Sequence, residues 1–295
     1  GPKAIPERNT RLVRSDRASA AIFPSSTVRK FIKYTSLTVV SMSAGSSGYR
    51  GGGSTDDATS SADKPRFLDV LRELKADGCN LLVVGDAPRR LFTEASAGLL
   101  GGTDERRYRL LAVTDASAQS VVERLPDPEE TPGAFDETTE IVNHASPPRS
   151  VVDAGETHDA LPLSDLSERQ VVDPQLAGLQ AELAESMAAF NRHAGGLRPA
   201  QLRVGVDSLG ALFEHYDADV VRRCLQVVRG YVADYDAMGH YVLTEPYDSE
   251  RVDRLAADFD AVVEIRAVDN GSNDHHAEER WHVPDYDLLT DWLPL

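Results

Sequence analysis

Cysteine and lysine are scarce in this chain, and a long apolar run is missing. Two cysteines in 295 residues, Cys79 and Cys224, make no disulfide framework and match no zinc-ligand spacing. Both fall inside apolar segments, where a free cysteine behaves as a small buried hydrophobe. A reducing, cytoplasmic compartment is therefore expected. No apolar stretch approaches the roughly 18 residues that cross a bilayer. Phe31 to Ser43 follows basic residues, but Lys33, Thr35, Ser36, Thr38 and Ser41 dilute it below a secretory core, and no membrane association is expected.

Charge of one sign is also short. Residues 1–41 hold eight Lys and Arg against Glu7 and Asp16, a net of +6, so the remainder carries −23 of the total −17. After residue 41 the only lysines are Lys64 and Lys75, and aspartate outnumbers glutamate. A dense carboxylate surface of this kind stays hydrated in strong salt and resembles a haloarchaeal proteome. High salt screens these charges at short range, so they serve solubility rather than steering. Nucleic acid is disfavoured as a partner of the acidic body, because its phosphates would be repelled.

The first methionine is Met42, followed by a Gly/Ser-rich stretch. Residues 1–62 read as a disordered leader, with 1–41 lying upstream of a start at Met42, and residues 63–295 as a single domain. From Arg66 on, helical and strand patterns alternate. A helix around residues 67–75 stops at Asp77-Gly78, and a buried strand runs from Leu81 to Val84. A turn opens at Gly85 before a helix to about Leu100, and a second strand covers Tyr108 to Thr114. Asp115-Ala-Ser117 reads as the cap of a helix from Ala118 to Arg124. An acidic loop spans about 126–148 with a short strand at Glu140 to Asn143, and Ser150 to Asp153 reads as another strand. Pro174 to Ala194 is an amphipathic helix ended by Gly195-Gly196. Strands follow at Leu202 to Val206, His240 to Thr244 and Ala261 to Val268, with helices Val220 to Tyr235 and Ser249 to Phe259 between them. Trp281 to Pro284 reads as a last edge strand. Helices between consecutive strands specify an α/β fold with a mostly parallel sheet.

One motif is conspicuous by its missing parts. A working phosphate loop, G-x-x-x-x-G-K-[ST], wraps phosphates in backbone N–H groups, neutralises them with lysine and holds Mg²⁺ with a hydroxyl. Counted from Gly85, the last three places hold Arg90, Leu91 and Phe92. None of them supplies that chemistry.

Two segments together carry a family likeness: Asn80 to Gly85 leading into the turn and helix, and Leu202-Arg-Val-Gly-Val-Asp207-Ser208-Leu-Gly-Ala-Leu212, a Walker B-like strand. With the tail strand Phe259 to Arg266, the order resembles the RecA superfamily and its archaeal KaiC and RadA-like branch. The whole is similar to uncharacterised haloarchaeal HTR-like proteins and domains of unknown function. The resemblance implies a three-layer RecA-like sheet with helices on both faces and, in intact members, ATP hydrolysis with Mg²⁺. Asp207 stands where the family's aspartate would position Mg²⁺-bound water, with Ser208 after it. At Thr114-Asp115-Ala-Ser117 one short carboxylate, Asp115, remains where adjacent glutamates are usual.

The expected product is a pseudo-ATPase: a degenerate nucleotide site of Gly85, Asp86, Arg89, Arg90, Asp115, Asp207 and Ser208, without catalytic residues, metal or cofactor. Its working surface would face a protein partner or a second copy, in a regulatory or signalling role. The alternative is a divergent ATPase that binds ATP and Mg²⁺ through Arg89, Arg90 and Asp207, since forked guanidinium donors suit phosphate. Otherwise Arg89 and Arg90 are solvated and pair with Asp86 or Glu94, and Asp207 is structural. Two lesser constellations are Asp153 with Glu156, and His275, His276 and His282 beside Glu278 and Glu279. The first reads as a salt-adapted loop, and no helix sets a ligand spacing for the second. His215 and His240 read as histidines making local hydrogen bonds, and no G-x-S-x-G nucleophile elbow is present.

Overall fold

Strand segments without polar alternation dominate the centre of the chain, and such runs belong in a sheet covered on both sides. The computed structural model describes residues 60–114, 121–144, 167–171, 175–268 and 276–295. Asp115, Ser150 to Asp153, Glu156 and His275, together with the expected leader up to residue 59, lie outside the described residues.

The described strands are β1 (Cys79–Val84), β2 (Tyr108–Val113), β3 (Thr139–Asn143), β4 (Ser167–Gln170), β5 (Leu202–Asp207), β6 (Met238–Leu243), β7 (Ala261–Ala267), β8 (Ala277–Val283), β9 (Leu288–Leu289) and β10 (Leu293–Pro294). The helices are α1 (Ser60–Asp77), α2 (Arg89–Leu100), α3 (Phe135–Thr138), α4 (Leu176–Ala194), α5 (Leu209–His215), α6 (Ala218–Asp234) and α7 (Glu250–Ala256). All ten strands share one sheet in the order β10-β8-β7-β1-β6-β5-β2-β3-β4, with β9 on β8. From β7 to β4 every pairing is parallel; β8, β9 and β10 add antiparallel pairings at one side. The mostly parallel α/β sheet expected from the alternation is present, and the antiparallel strands at one side, which were not expected, make it mixed.

Alternate residues of each strand serve different helices. Leu82, Val84, Leu110, Val204, Val206, Tyr241 and Leu243 pack with Leu179, Leu183 and Met187 of α4 and Val221, Leu225 and Val228 of α6. Leu81, Val83, Val242 and Val263 pack with Val70, Leu71 and Leu74 of α1 and Leu91, Phe92 and Ala95 of α2. Period-two strands therefore feed two sets of helices, one through the odd residues of β1 and one through the even ones.

Several expectations change in detail. The helix that opens the domain starts at Ser60, inside the stretch read as leader. The acidic loop contains α3, and β4 was not expected at all because Ser-Glu-Arg-Gln has no apolar pattern. It exists because its backbone extends the parallel ladder from Glu140↔Ser167 to Asn143↔Gln170. The segment read as a last edge strand is the longer β8, which is not an edge, since β10 and β9 pair with it. Pro88 stands at the N-cap of α2.

Candidate functional site: an arginine-filled Asp207 end

The strand registers place side chains in rows on the α2 side of the sheet. Arg109 aligns with Arg203 and Arg203 with Met238; one step on, Leu111 aligns with Gly205 and Gly205 with His240; at the carboxyl end, Val113 aligns with Asp207 and Asp207 with Val242. The central strand β5 thus offers α2 only Arg203, Gly205 and Asp207, with no apolar side chain among them. Helix α2 answers with a matching polar stripe. Arg89, Thr93 and Ser96 recur at i, i+4 and i+7, the spacing of one helix face.

At the bottom of this seam Ser96 Oγ and His240 Nε2 share a hydrogen bond of 2.7 Å. His240 is buried, and desolvation, helped by the charges of Arg124 and Arg203, lowers its pKa to about 3, so the ring is neutral. Gly205 lets this pair close. A Cβ there would lie 2.8 Å from His240 Cε1 and 2.9 Å from Leu111 Cδ1, too near for any side chain.

At the top, Asp207 is fully buried and meets two guanidinium groups. Arg89 Nη2 lies 2.7 Å from its Oδ1, and Arg124 Nη2 contacts its Oδ2. Arg124 is itself fully buried; burial lowers its pKa, with Asp207 opposing and Arg89 adding to the shift. Thr93 Oγ1 accepts a 3.4 Å hydrogen bond from Arg124 Nη2. The contacts to Asp207 are ion pairs by distance, and neither carboxylate oxygen completes a well-angled hydrogen bond. Arg124 Nε and Nη1 are likewise without hydrogen-bond partners. Around the strand end, Thr114 Oγ1 donates to Ser208 O at 2.7 Å and accepts from Ser208 N at 2.7 Å, while Thr114 N donates to Asp207 O at 2.8 Å. The Asp207–Ser208 peptide is cis.

The Gly85 turn closes against the neighbouring strand ends. Its φ is 151°, and an added Cβ would sit 2.1 Å from Ile265 O, so only glycine fits. Gly85 N donates to Glu245 O at 2.7 Å. Leu91 and Phe92, at the places of the phosphate-loop lysine and hydroxyl, are completely buried in the core between α2 and the sheet.

The structure therefore gathers Gly85, Arg89, Asp207 and Ser208 at one end of the sheet. Asp86 and Arg90 are exposed beside it. Arg89 does not pair with Asp86 or Glu94, as one expectation had it. Its partner is Asp207, because the first turn of α2 begins directly over the end of β5. Glu94 instead lies 3.1 Å from His276. Sequence reading missed Arg124: an arginine at the end of an expected helix carries no local signal for the buried aspartate it meets.

The described members of the histidine constellation disperse, His276 going to Glu94. His282 stacks on Tyr247 at 4.1 Å and lies 3.2 Å from Glu264; Glu278 binds Arg266; Glu279 accepts from Trp281 Nε1 at 3.0 Å. Among the described residues, no three His, Cys, Asp or Glu side chains are grouped to hold a metal ion. No helix among the described residues is long and apolar enough to cross a membrane.

Searched against known proteins, the chain matches no curated protein. A family model, that of the family of unknown function DUF7504, matches residues 78–265, from just before β1 into β7, and so takes in the whole polar seam. That match covers more than half of the chain, and the chain belongs to this family.

Proposed function

We propose that this chain is a RecA/KaiC-like pseudo-ATPase, a three-layer module that acts through protein contacts in a haloarchaeal cytoplasm and not through nucleotide chemistry. The observation that carries the reading is the Arg89–Asp207–Arg124 cluster. In a nucleotide-hydrolysing site of this kind an aspartate at the strand end serves Mg²⁺, and a lysine serves the phosphates. Here two of the chain's own cations occupy the aspartate, and core residues fill the lysine and hydroxyl places. The RecA likeness is supported by the separation of β1 and β5 by β6 alone in a parallel ladder, and by helices packed on both faces. An interaction role, with a partner protein or a second copy, is supported by Val220, Val227 and Tyr231. These exposed apolar residues sit at i, i+7 and i+11 on α6.

The competing reading, a divergent ATPase, needs Arg89 to leave Asp207 for a phosphate. Thermal melting in molar KCl with Mg²⁺ and ATP separates the two. A ligand at about 100 times its Kd adds roughly 2.7 kcal/mol to stability. We expect no change in Tm with millimolar MgATP; a saturable rise of several degrees overturns the pseudo-ATPase reading.

A further inference from the structure

Among the described residues four large apolar side chains are exposed, and they fall into two patches of opposite charge. Val220, Val227 and Tyr231 lie on α6, and Leu289, 56 % exposed, lies on β9. Single exposed apolar residues are ordinary, but a cluster of them rimmed by charge marks a contact surface.

The α6 patch is basic. Arg223 stands three residues after Val220 and four before Val227, so the helix brings the three to one face, and Tyr231 continues the row one turn on. On its other side Arg223 opens on a cavity of about 460 Å³, which Arg222, Gln226 and Arg229 line together with Asp219 and Asp258. Arg222 is held by Asp258, its Nη2 donating to Oδ2 at 2.9 Å. Arg229 is held over the Phe259 ring at 5.0 Å, and its Nε is buried without a hydrogen-bond partner. Neither Arg223 nor Arg229 has a carboxylate partner among the described residues. In a chain of net charge −17, two unpaired guanidinium groups beside exposed apolar side chains form a surface complementary to an acidic segment that carries an apolar residue.

The chain carries such a segment itself. Asp287 and Asp291 flank Leu289 two residues away on each side, Asp285 precedes them, and all three acids are exposed. No cation pairs with these carboxylates among the described residues; Arg66 Nη2 donates instead to the backbone carbonyls of Tyr286 and Asp287, at 2.6 and 3.3 Å. Helix α6 packs on β1 and β6, and two strands, β7 and β8, stand between β1 and β9. No ion pair joins the two patches within the chain, and their complementary charges are left to meet between molecules.

We propose that the Arg223 side of α6 takes the Leu289 segment of a second copy of this chain. Leu289 packs against Val220, Val227 and Tyr231, and the flanking aspartates face the arginines of the cavity. The proposal rests on the interaction role inferred above and names its partner.

The test is sedimentation velocity of the full chain in molar KCl, which screens the repulsion between two copies of net charge −17. The mass is expected to rise with concentration from the micromolar to the sub-millimolar range. Arg223→Glu alone, or Asp285→Arg with Asp291→Arg, is expected to abolish that rise, and Leu289→Ser is expected to do the same with no change of charge. All these residues are exposed, so each variant is expected to melt as the wild type does. Mixing the Arg223 variant with the Asp285/Asp291 variant is expected to restore association, because the intact α6 of one meets the intact Leu289 segment of the other. A wild type that stays monomeric, a variant that associates as the wild type does, or a mixture that stays monomeric overturns the proposal. A monomeric wild type that is also indifferent to MgATP leaves the pseudo-ATPase reading in place, whereas association together with stabilisation by MgATP removes that reading and keeps this one.

Discussion

Asp207 sits at 0 % exposure with a guanidinium on each oxygen, and its environment decides what its removal does. Breaking a buried ion pair from one side leaves the other charge without compensation, which costs about 3–5 kcal/mol. Asp207→Ala is therefore expected to be strongly destabilising in chemical denaturation, because Arg124 is fully enclosed. Arg89→Ala is expected to cost much less, since water reaches the Arg89 side chain. Replacing both enclosed partners, as Asp207→Leu with Arg124→Met, is expected to recover most of the loss. Equal losses in the two single variants would contradict this ranking. The sequence announced Asp207 through its strand and the Ser-Leu pattern after it. Nothing in the sequence announced Arg124, because its contact with Asp207 is made across the fold between residues 83 positions apart.

Helix α2 is the element that decides what this sheet end can do. Its pattern combines a buried apolar side, Leu91, Phe92, Ala95 and Leu100, with the polar stripe Arg89, Thr93 and Ser96, of which Thr93 and Ser96 are buried and Arg89 is only partly covered. An amphipathic pattern predicts that a polar stripe faces water. Here Gly205 and His240 open a polar groove beneath it instead, so the stripe turns inward. The Ser96–His240 bond gives this packing a pH signature. His240 titrates near 6.5 in the unfolded chain and near 3 in the fold, so the unfolded state binds more protons between those values. Its contribution to stability is fully present above pH 6.5 and is lost as pH falls towards 3, with a slope of up to about 1.4 kcal/mol per pH unit. His240→Gln, which keeps a hydrogen-bonding side chain, is expected to flatten the fall in Tm between pH 7 and pH 5 relative to wild type. Parallel curves for the two proteins would refute this account.

Across the whole molecule, the two thiols report on the core from opposite faces. Cys79 lies in the core under α1 and α2 and Cys224 in the core under α4 and α6. Burial pushes their pKa values up to about 12 and about 11, so at pH 8 neither offers appreciable thiolate. Labelling by an aromatic disulfide reagent is expected to be slow and to follow unfolding, with both cysteines released together in denaturant. Fast labelling of either in the native state would show that its face opens on its own. The buried location of both cysteines, the mostly parallel α/β sheet and the Gly85 turn were all legible in sequence, because they rest on local apolar runs and on one glycine between a strand and a helix. Strand β4 and the inner position of β8 were not, since each depends on backbone pairing with a neighbour far along the chain. The sequence by itself determined that the Gly85 turn lacks phosphate-loop chemistry. Only the tertiary structure decided what stands at that end of the sheet, because the charges that converge on Asp207 come from α2 and from the segment after β2, and a buried charge is defined by the partners that folding brings to it.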